Sequence, residues 1–352
     1  MDLPASMGAA MITRIARPWL APGLGLVLAL GLVCTTGAAQ AQASERYAVI
    51  VSGASGSQEL ADQHAKWRAS LAAALTDKLR LPADHLVILS DRGSATASLT
   101  DGRLASTRDN VRASLTRLAQ RMKREDVVLV VLIGHSTFDG VDAKFNLVGP
   151  DLEAADWQRL IAAIPGRVVF VNTTGASAPF LSRLAGAGRI VITATDNPAQ
   201  KYETIFPEFF SQAFDAPEAD LDKDGRVSIW EAFAFASGQV KQYYRQRGQL
   251  SVERPVLDDT GDGQGKDSTE LGPDGAMASR TFLDAGDEAP AGAGPALSEL
   301  INRRNVLEGE FDELKRRRTF MPPGDYEKQR DLLLIEIARV SRQIRAEQRK
   351  GS

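Results

Sequence analysis

Short, unbroken apolar runs alternate along this chain with longer stretches in which apolar residues recur every three or four positions. Arg46 to Gly53 (RYAVIVSG), Leu86 to Leu89, Val127 to Ile133, Val168 to Val171 and Ile190 to Thr193 are the unbroken runs. After the first of them, Leu60, His64, Trp67, Leu71, Leu75 and Leu79 keep the period of a helix with one buried face. Ser106 with Asp109 predicts the start of another helix, whose stripe is Val111, Leu115, Leu118 and Met122. The Val127 to Ile133 run is too continuous for a strand wetted on one face. Strands apolar on both sides and alternating with helices predict an open, mainly parallel sheet with helices on both faces, an α/β layer architecture.

The pattern changes after Phe214, where a charged loop and an aromatic-rich helical stretch follow. From Gly261 to Pro295 the chain is mostly Gly, Ala, Pro, Asp and Glu, the composition of a flexible linker. The expected organisation is therefore an α/β domain over 44–262, a linker over 263–296 and a separate module over 297–348. In that module Leu297, Leu300, Arg304, Leu307, Phe311 and Leu314 recur at steps of three and four, and Pro322-Pro323-Gly324 breaks the rhythm. Tyr326, Arg330, Leu333, Ile337, Val340 and Ile344 resume it. Two short heptad stretches around such a turn predict an antiparallel helical hairpin, or short coiled coil. Helices of that length are marginal alone, so self-association or a partner is expected to cover them. Lys315 to Arg318 reads as a solvated face near the turn.

Residues 1–43 have the layout of a secretory signal: Arg14 and Arg17, an apolar run from Trp19 to Val33, then the small-residue sites Ala39-Gln40-Ala41 and Ala41-Gln42-Ala43. The alternative is a retained anchor, though the run is near the lower limit for a spanning helix. Cleavage would put the mature chain in the periplasm or outside the cell and free of the membrane. Lys and Arg number 42 against 45 Asp and Glu, a net charge of −3 that makes no electrostatic case for nucleic acid. The only cysteine, Cys34, sits inside the signal, so the mature chain has no thiol, disulfide or thiolate metal site. The three histidines are widely separated and show no zinc spacing. His64 reads as a packed residue of the first helix, and His85 as part of a surface turn.

In an open α/β sheet, functional groups gather beyond the carboxyl ends of the strands. His135 directly follows the Val127 to Gly134 strand, and Thr173 and Thr174 directly follow Val168 to Asn172. Neighbouring strands would bring an imidazole and a hydroxyl to one edge, the minimal base–nucleophile pair. Asp139 is the one carboxylate near His135 in sequence, four residues on.

Gly134-His135-Ser136, the stretch Lys144 to Asp151 (KFNLVGPD), Val168 to Phe180 and Ala219 to Phe233 together resemble the bacterial branch of the legumain-like (C13) peptidases of the caspase-like clan. The resemblance spans roughly residues 46 to 262 and implies a caspase-like sheet with a His at the end of one strand and a nucleophilic Cys at the end of the next. It puts His135 in the catalytic His position and Thr174 at the nucleophile, with Thr173 the alternative by a one-residue slip. Two departures stand out: Ser136 replaces the usual Gly after the His, and the Cys is missing. A threonine hydroxyl is far less acidic than a thiol and needs a well-oriented base, held in turn by a third group. The expectation is a pseudopeptidase, a scaffold that binds a peptide or protein partner in the cleft. The alternative is an active hydrolase with Thr174 as nucleophile and His135 as base.

One local motif is stronger than these. Asp220, Asp222, Asp224, Gly225, Ser228 and Glu231 take positions 1, 3, 5, 6, 9 and 12 of an EF-hand-like loop. The Asp carboxylates offer hard oxygens, Gly225 permits the sharp turn, Arg226 offers its backbone carbonyl, and Glu231 can bind with both oxygens. Val227 is apolar, as a short β-contact requires. The predicted ligand is Ca2+; the alternative is an acidic turn that caps the outgoing helix. A second acidic loop, Asp258, Asp259, Asp262 and Gly263, has Thr269 where the last ligand should stand; of a partial cation site and a solvated turn, the turn is the favoured reading.

Overall fold

The computed structural model describes residues 44–93, 104–200, 202–269, 272–284, 295–318 and 321–350. The expected signal over 1–43 lies outside the described residues. The predicted strands form as β1 (Arg46–Ser52), β2 (Leu86–Ser90), β4 (Val127–Ile133), β8 (Arg167–Asn172) and β9 (Arg189–Thr193), joined by the short strands β3 (Leu104–Ala105) and β10 (Val256–Asp258). Among the described residues they make one seven-stranded sheet in the order β10-β9-β8-β4-β1-β2-β3. Every pairing is parallel except that of β10 with β9.

Alternation within each strand divides the core. Ile50, Leu129, Val131, Val169, Val171, Ile190 and Ile192 face one side, where α1 (Gln58–Ala73), α5 (Phe206–Ala213) and α6 (Ile229–Gln246) pack. Val49, Val51, Val128, Val130, Leu132, Phe170 and Val191 face the other, against α2 (Arg108–Arg121), α3 (Ala154–Ala162) and α4 (Ala178–Leu184). All seven residues of β4 are buried, which is why that run had no polar member.

Four local features depart from the pattern. Thr107, not Ser106, caps α2, its hydroxyl accepting from the Asn110 amide at 3.3 Å, while Ser106 is buried. The end of the first predicted helix widens into a π-turn over Ala74–Lys78. A small antiparallel sheet of β5 (Ser136–Phe138), β6 (Ala143–Phe145) and β7 (Leu152–Glu153) follows His135; these strands are too short to leave a periodic signature.

The fourth departure corrects a boundary. Of the linker expected over 263–296, the described residues 263–269 and 272–284 are packed against the domain, and 285–294 lies outside the described residues. Leu257 and Lys266 exchange backbone hydrogen bonds, both at 2.9 Å. The Asp259 carboxylate accepts from the amides of Gly275, Met277 and Ala278 at 2.9, 2.8 and 2.7 Å. Ala278 and Leu283 are buried in the core beneath α6. Composition measures apolar content, and this segment is ordered mainly by hydrogen bonds to a buried carboxylate, so composition misread it. In the second acidic loop Asp258 closes a turn, accepting from the Gly261 and Gly263 amides, both at 2.8 Å, but Asp258 and Asp259 are buried where a solvated turn was expected.

The predicted hairpin forms from α7 (Pro295–Arg317) and α8 (Pro323–Lys350). Ile301, Leu307, Val340 and Ile344 are buried between the two helices, with Leu297, Leu300, Leu333 and Ile337 around them. Among the described residues no helix is long and apolar enough to cross a membrane.

Candidate functional site

β4 and β8 are neighbours in register, Leu132 opposite Asn172, so His135 and Thr174 leave the same carboxyl edge of the sheet. Gly134 turns the chain out of β4 at φ +141°, and a Cβ there would lie 3.2 Å from the Gly53 amide nitrogen. That close approach of β1 and β4 puts the Ser55 carbonyl against the His135 ring, with Nε2 at 3.2 Å. On the other side of the ring Nδ1 lies 2.7 Å from Glu203 Oε1. His64, on the buried face of α1, brings Nε2 to 3.8 Å from Glu203 Oε2, and its ring meets that of His135 edge-on at 5.6 Å.

Glu203 is held by its neighbours. The Thr204 hydroxyl donates to the Thr173 carbonyl. The Ile205 and Phe206 amides donate to the buried Glu253 carboxylate at 2.8 and 3.0 Å, and the Tyr244 hydroxyl donates to it at 2.7 Å. Burial alone would raise the Glu203 pKa. The hydrogen bond from His135 and the charges of His135 and His64 overturn that and hold it at about 2. His64, at 3.8 Å, is beyond hydrogen-bond reach, so His135 carries most of this effect. His135 is raised above the ordinary histidine range, chiefly by its hydrogen bond to Glu203 and against the effect of its own burial.

The proton positions on His135 follow from its partners. A backbone carbonyl can only accept, so Nε2 donates to Ser55; an ionised carboxylate can only accept, so Nδ1 donates to Glu203. With an acceptor at each nitrogen, the site favours the doubly protonated ring, in line with the raised pKa.

Thr174 has a different environment. Its side chain is fully buried, with Oγ1 at 2.8 Å from Asn172 Oδ1 and 2.7 Å from Ser136 Oγ. Its single proton goes to the amide oxygen, which can only accept. Thr173 donates its hydroxyl to the Leu132 carbonyl at 2.7 Å. Among the described residues no hydrogen bond joins His135 to either threonine. Asp139, the carboxylate nearest His135 in sequence, instead closes a turn, accepting from the Val141 and Asp142 amides at 2.9 and 2.8 Å.

Sequence reasoning missed Glu203 and the place of His64. Strand order and a loop beyond β9 bring 64, 135 and 203 together, and no local spacing signals it. The reading of the histidines as scattered therefore needs correction. His85 is also less exposed than a surface turn implies: its ring stacks on Tyr47 at 4.4 Å between centroids, with Nδ1 at 2.8 Å from the Arg46 carbonyl. A groove of about 370 Å³ lies between β5, β6 and α4, lined in part by Phe138, Val141, Pro179 and Arg183. Neither His135 nor Thr174 lines it.

The acidic loop is built as a chain of side-chain-to-amide turns. Asp220 accepts from the Asp224 and Gly225 amides at 3.1 and 3.0 Å, Asp222 from the Asp224 amide at 3.1 Å, and Asp224 from the Arg226 amide at 2.8 Å. Carboxylate oxygens of Asp220, Asp222 and Asp224 lie within 4.8 Å of one another. Lys223 and Gly225 take positive φ, +63° and +91°, to make the bend. Glu231 accepts from the Leu221 and Asp222 amides at 2.9 and 3.3 Å, and from the Ser228 amide and hydroxyl, both at 2.8 Å. Glu231 and Ser228 thus form a capping box that starts α6. The short β-contact falls at Ser228, which bridges Phe282. Arg226 grips Asp284 with two bonds, 2.8 and 2.7 Å, and its guanidinium lies 3.8 Å from the centre of the Phe282 ring. Loss of water around the Asp224 carboxyl, then the charges of Asp222 and Glu231, push its pKa up to about 7.

No protein-family model matches this chain, and no curated protein matches it. Among solved structures it is similar to a structural-genomics protein from Geobacter sulfurreducens, at 12% identity and TM-score 0.39, covering 61% of this chain and 92% of that one. It is similar at the same level, 12% and 0.39, to the Drosophila initiator caspase Dronc, covering 63% of this chain and 82% of that one. Neither overlap is close enough to carry over chemistry or family.

Proposed function

We propose that this protein is a calcium-binding pseudopeptidase: a caspase-like scaffold, exported to the periplasm or beyond, that binds a peptide or protein partner at the carboxyl edge of its sheet without cleaving it. The observation that carries this reading is that both ring nitrogens of His135 face acceptors and neither faces a threonine hydroxyl. A general base needs a lone pair within reach of the nucleophile's proton. Both His135 nitrogens instead point at acceptors, Glu203 and the Ser55 carbonyl, and the Thr174 hydroxyl is bonded to Asn172. By the resemblance to legumain-like peptidases, Thr174 stands where the thiol belongs, and a buried, hydrogen-bonded hydroxyl is a poor substitute for it.

Calcium is supported by the loop's donor set. Hard carboxylate oxygens gathered within 4.8 Å suit a hard cation. Asp220, Asp222 and Asp224 would hold it with their side chains, Arg226 through its backbone carbonyl and Ser228 beside them. Glu231 would turn from its capping partners to complete the set. Bound there, the ion would cancel like-charge repulsion inside the loop. The hairpin leaves Leu332, Ile335 and Val306 exposed, which is where a second copy or a partner would cover it.

The test is a broad peptide-library digest with the purified chain, alongside Thr174→Ala and His135→Ala. No cleavage by any of the three is expected. Turnover by the wild type that both substitutions abolish would make the protein a Thr/His hydrolase and sink the proposal.

A further inference from the structure

His64 presents an unusual problem for a buried side chain. It is 1% exposed, and neither ring nitrogen has a hydrogen-bond partner. Buried polar atoms are normally satisfied, and leaving one unpaired is destabilising. The ring is turned towards Glu203, with Nε2 3.8 Å from Oε2, and towards His135 across the same carboxylate. One nitrogen of each histidine and one oxygen of Glu203 all lie within 4.8 Å of one another.

We infer that His64, His135 and Glu203 form a binding site for a divalent transition metal of the zinc class. Two imidazole nitrogens and one carboxylate oxygen make a borderline donor set that suits zinc and its neighbours better than calcium or magnesium. His135 already has the outer partner that a ligating histidine uses, because Nε2–H donates to the Ser55 carbonyl and fixes the ring with Nδ1 facing the cluster. The metal would take the place of the Nδ1 proton, which leaves to solvent, and would give the orphaned His64 nitrogen a partner. His64 closes the floor of the site, while His135 and Glu203, 30% and 40% exposed, leave an entry path from outside. Three protein ligands also leave a coordination position open. The ligands come from α1, the end of β4 and the loop before α5, so a bound ion would tie these elements together at the sheet edge.

The site is separate from the acidic loop, and its failure would leave the calcium and partner-binding readings intact. The experiment uses the tag-free chain, stripped with a chelator and titrated with Co2+ as an optical probe, then with Zn2+ in competition. One Co2+ per chain is expected, with visible bands of nitrogen–oxygen coordination that one equivalent of Zn2+ removes. Glu203→Gln and His135→Asn should each weaken uptake by at least ~10-fold, the least that losing even an outer partner of a metal ligand costs. His64→Phe fills the same space without a donor and should lose uptake while its melting curve shows a folded protein. Asp222→Asn with Asp224→Asn should leave uptake unchanged. No stoichiometric uptake by the wild type overturns the inference. So does uptake that survives Glu203→Gln and His135→Asn, or that disappears with the acidic-loop variant.

Discussion

Glu203 at the sheet edge and Asp224 in the acidic loop are both surface carboxylates partly shielded from water by the protein, yet they respond in opposite directions. Glu203 is held at about 2 because His135 and His64 face it. Asp224 is pushed up to about 7 because its neighbours Asp222 and Glu231 carry the same sign. Partial loss of water raises both; the partner decides the outcome. One cluster contains its own counter-charge, as protons on an imidazole or as an ion in their place. The other has backbone amides for nearly all its bonds, which orient the carboxylates without neutralising them. A charge balance that the fold supplies itself is stable without a ligand, whereas one left open makes stability depend on what the solution contains.

The largest expected effect separates the two regions through calcium. A single extracellular-type loop binds at roughly 10⁻⁴ to 10⁻³ M. At ~100 times the dissociation constant, linkage predicts about 2.7 kcal/mol of added stability. The melting temperature should therefore rise with calcium and fall on chelation, and Asp222→Asn with Asp224→Asn should remove the response while α6 keeps its cap. A scan indifferent to millimolar calcium would reduce the loop to a helix cap.

A smaller effect is the opposite pH dependence of the two carboxylates in metal-free protein. Asp224 rises from 3.8 to about 7 on folding, so the folded state binds the extra proton and stability falls as pH climbs between those values. Asp224→Asn should flatten that slope, whose size solvent screening limits because the residue is exposed. Glu203 falls from 4.5 to about 2, so its contribution is present above 4.5 and lost as pH drops through about 2. His135, raised above 6.5, contributes fully below 6.5 and loses that contribution as pH rises through its folded value. Glu203→Gln should remove both contributions at a cost of about 1 kcal/mol and bring the histidine back towards 6.5 in an NMR titration. An unmoved histidine resonance would show that Glu203 is not its partner.

The smallest effect tests the clamp that joins the loop to the segment behind it. Arg226→Lys keeps the charge and loses the paired bonds to Asp284 and the stacking on Phe282, costing about 0.5–1 kcal/mol by chemical denaturation. It should leave the sheet-edge histidine titration untouched; a shift there would mean that the two regions are coupled.

The sheet was legible because its strands are apolar on both sides, a pattern that only a doubly covered layer tolerates. The edge carrying His135 and Thr174 was legible for the same reason, since the residue after each run lands there. Glu203 was not, because nothing in its own neighbourhood distinguishes it from any charged loop residue. His64 shares a periodic stripe with Trp67 and Leu71, and periodicity cannot tell a packed ring from one aimed at a partner. The acidic loop was legible as a motif. What it lacked in sequence was the news that Glu231 and Ser228 also cap α6 and that Ser228 pairs with Phe282, contacts made by folding back from a distant stretch.

The buried carboxylate of Asp259 has a practical consequence for anyone cutting this protein into pieces. A chain ended at 262, where composition changes, would keep Asp259 and delete Gly275, Met277 and Ala278, the donors of three of its hydrogen bonds. It would also strip Lys266 from Leu257 and uncover the apolar ground that Ala278 and Leu283 occupy. Such a fragment would carry an unpaired negative charge inside an opened core and should be recovered as aggregate or digested by protease. A fragment ended after Asp284 keeps every one of these contacts, and it is the shorter form to express.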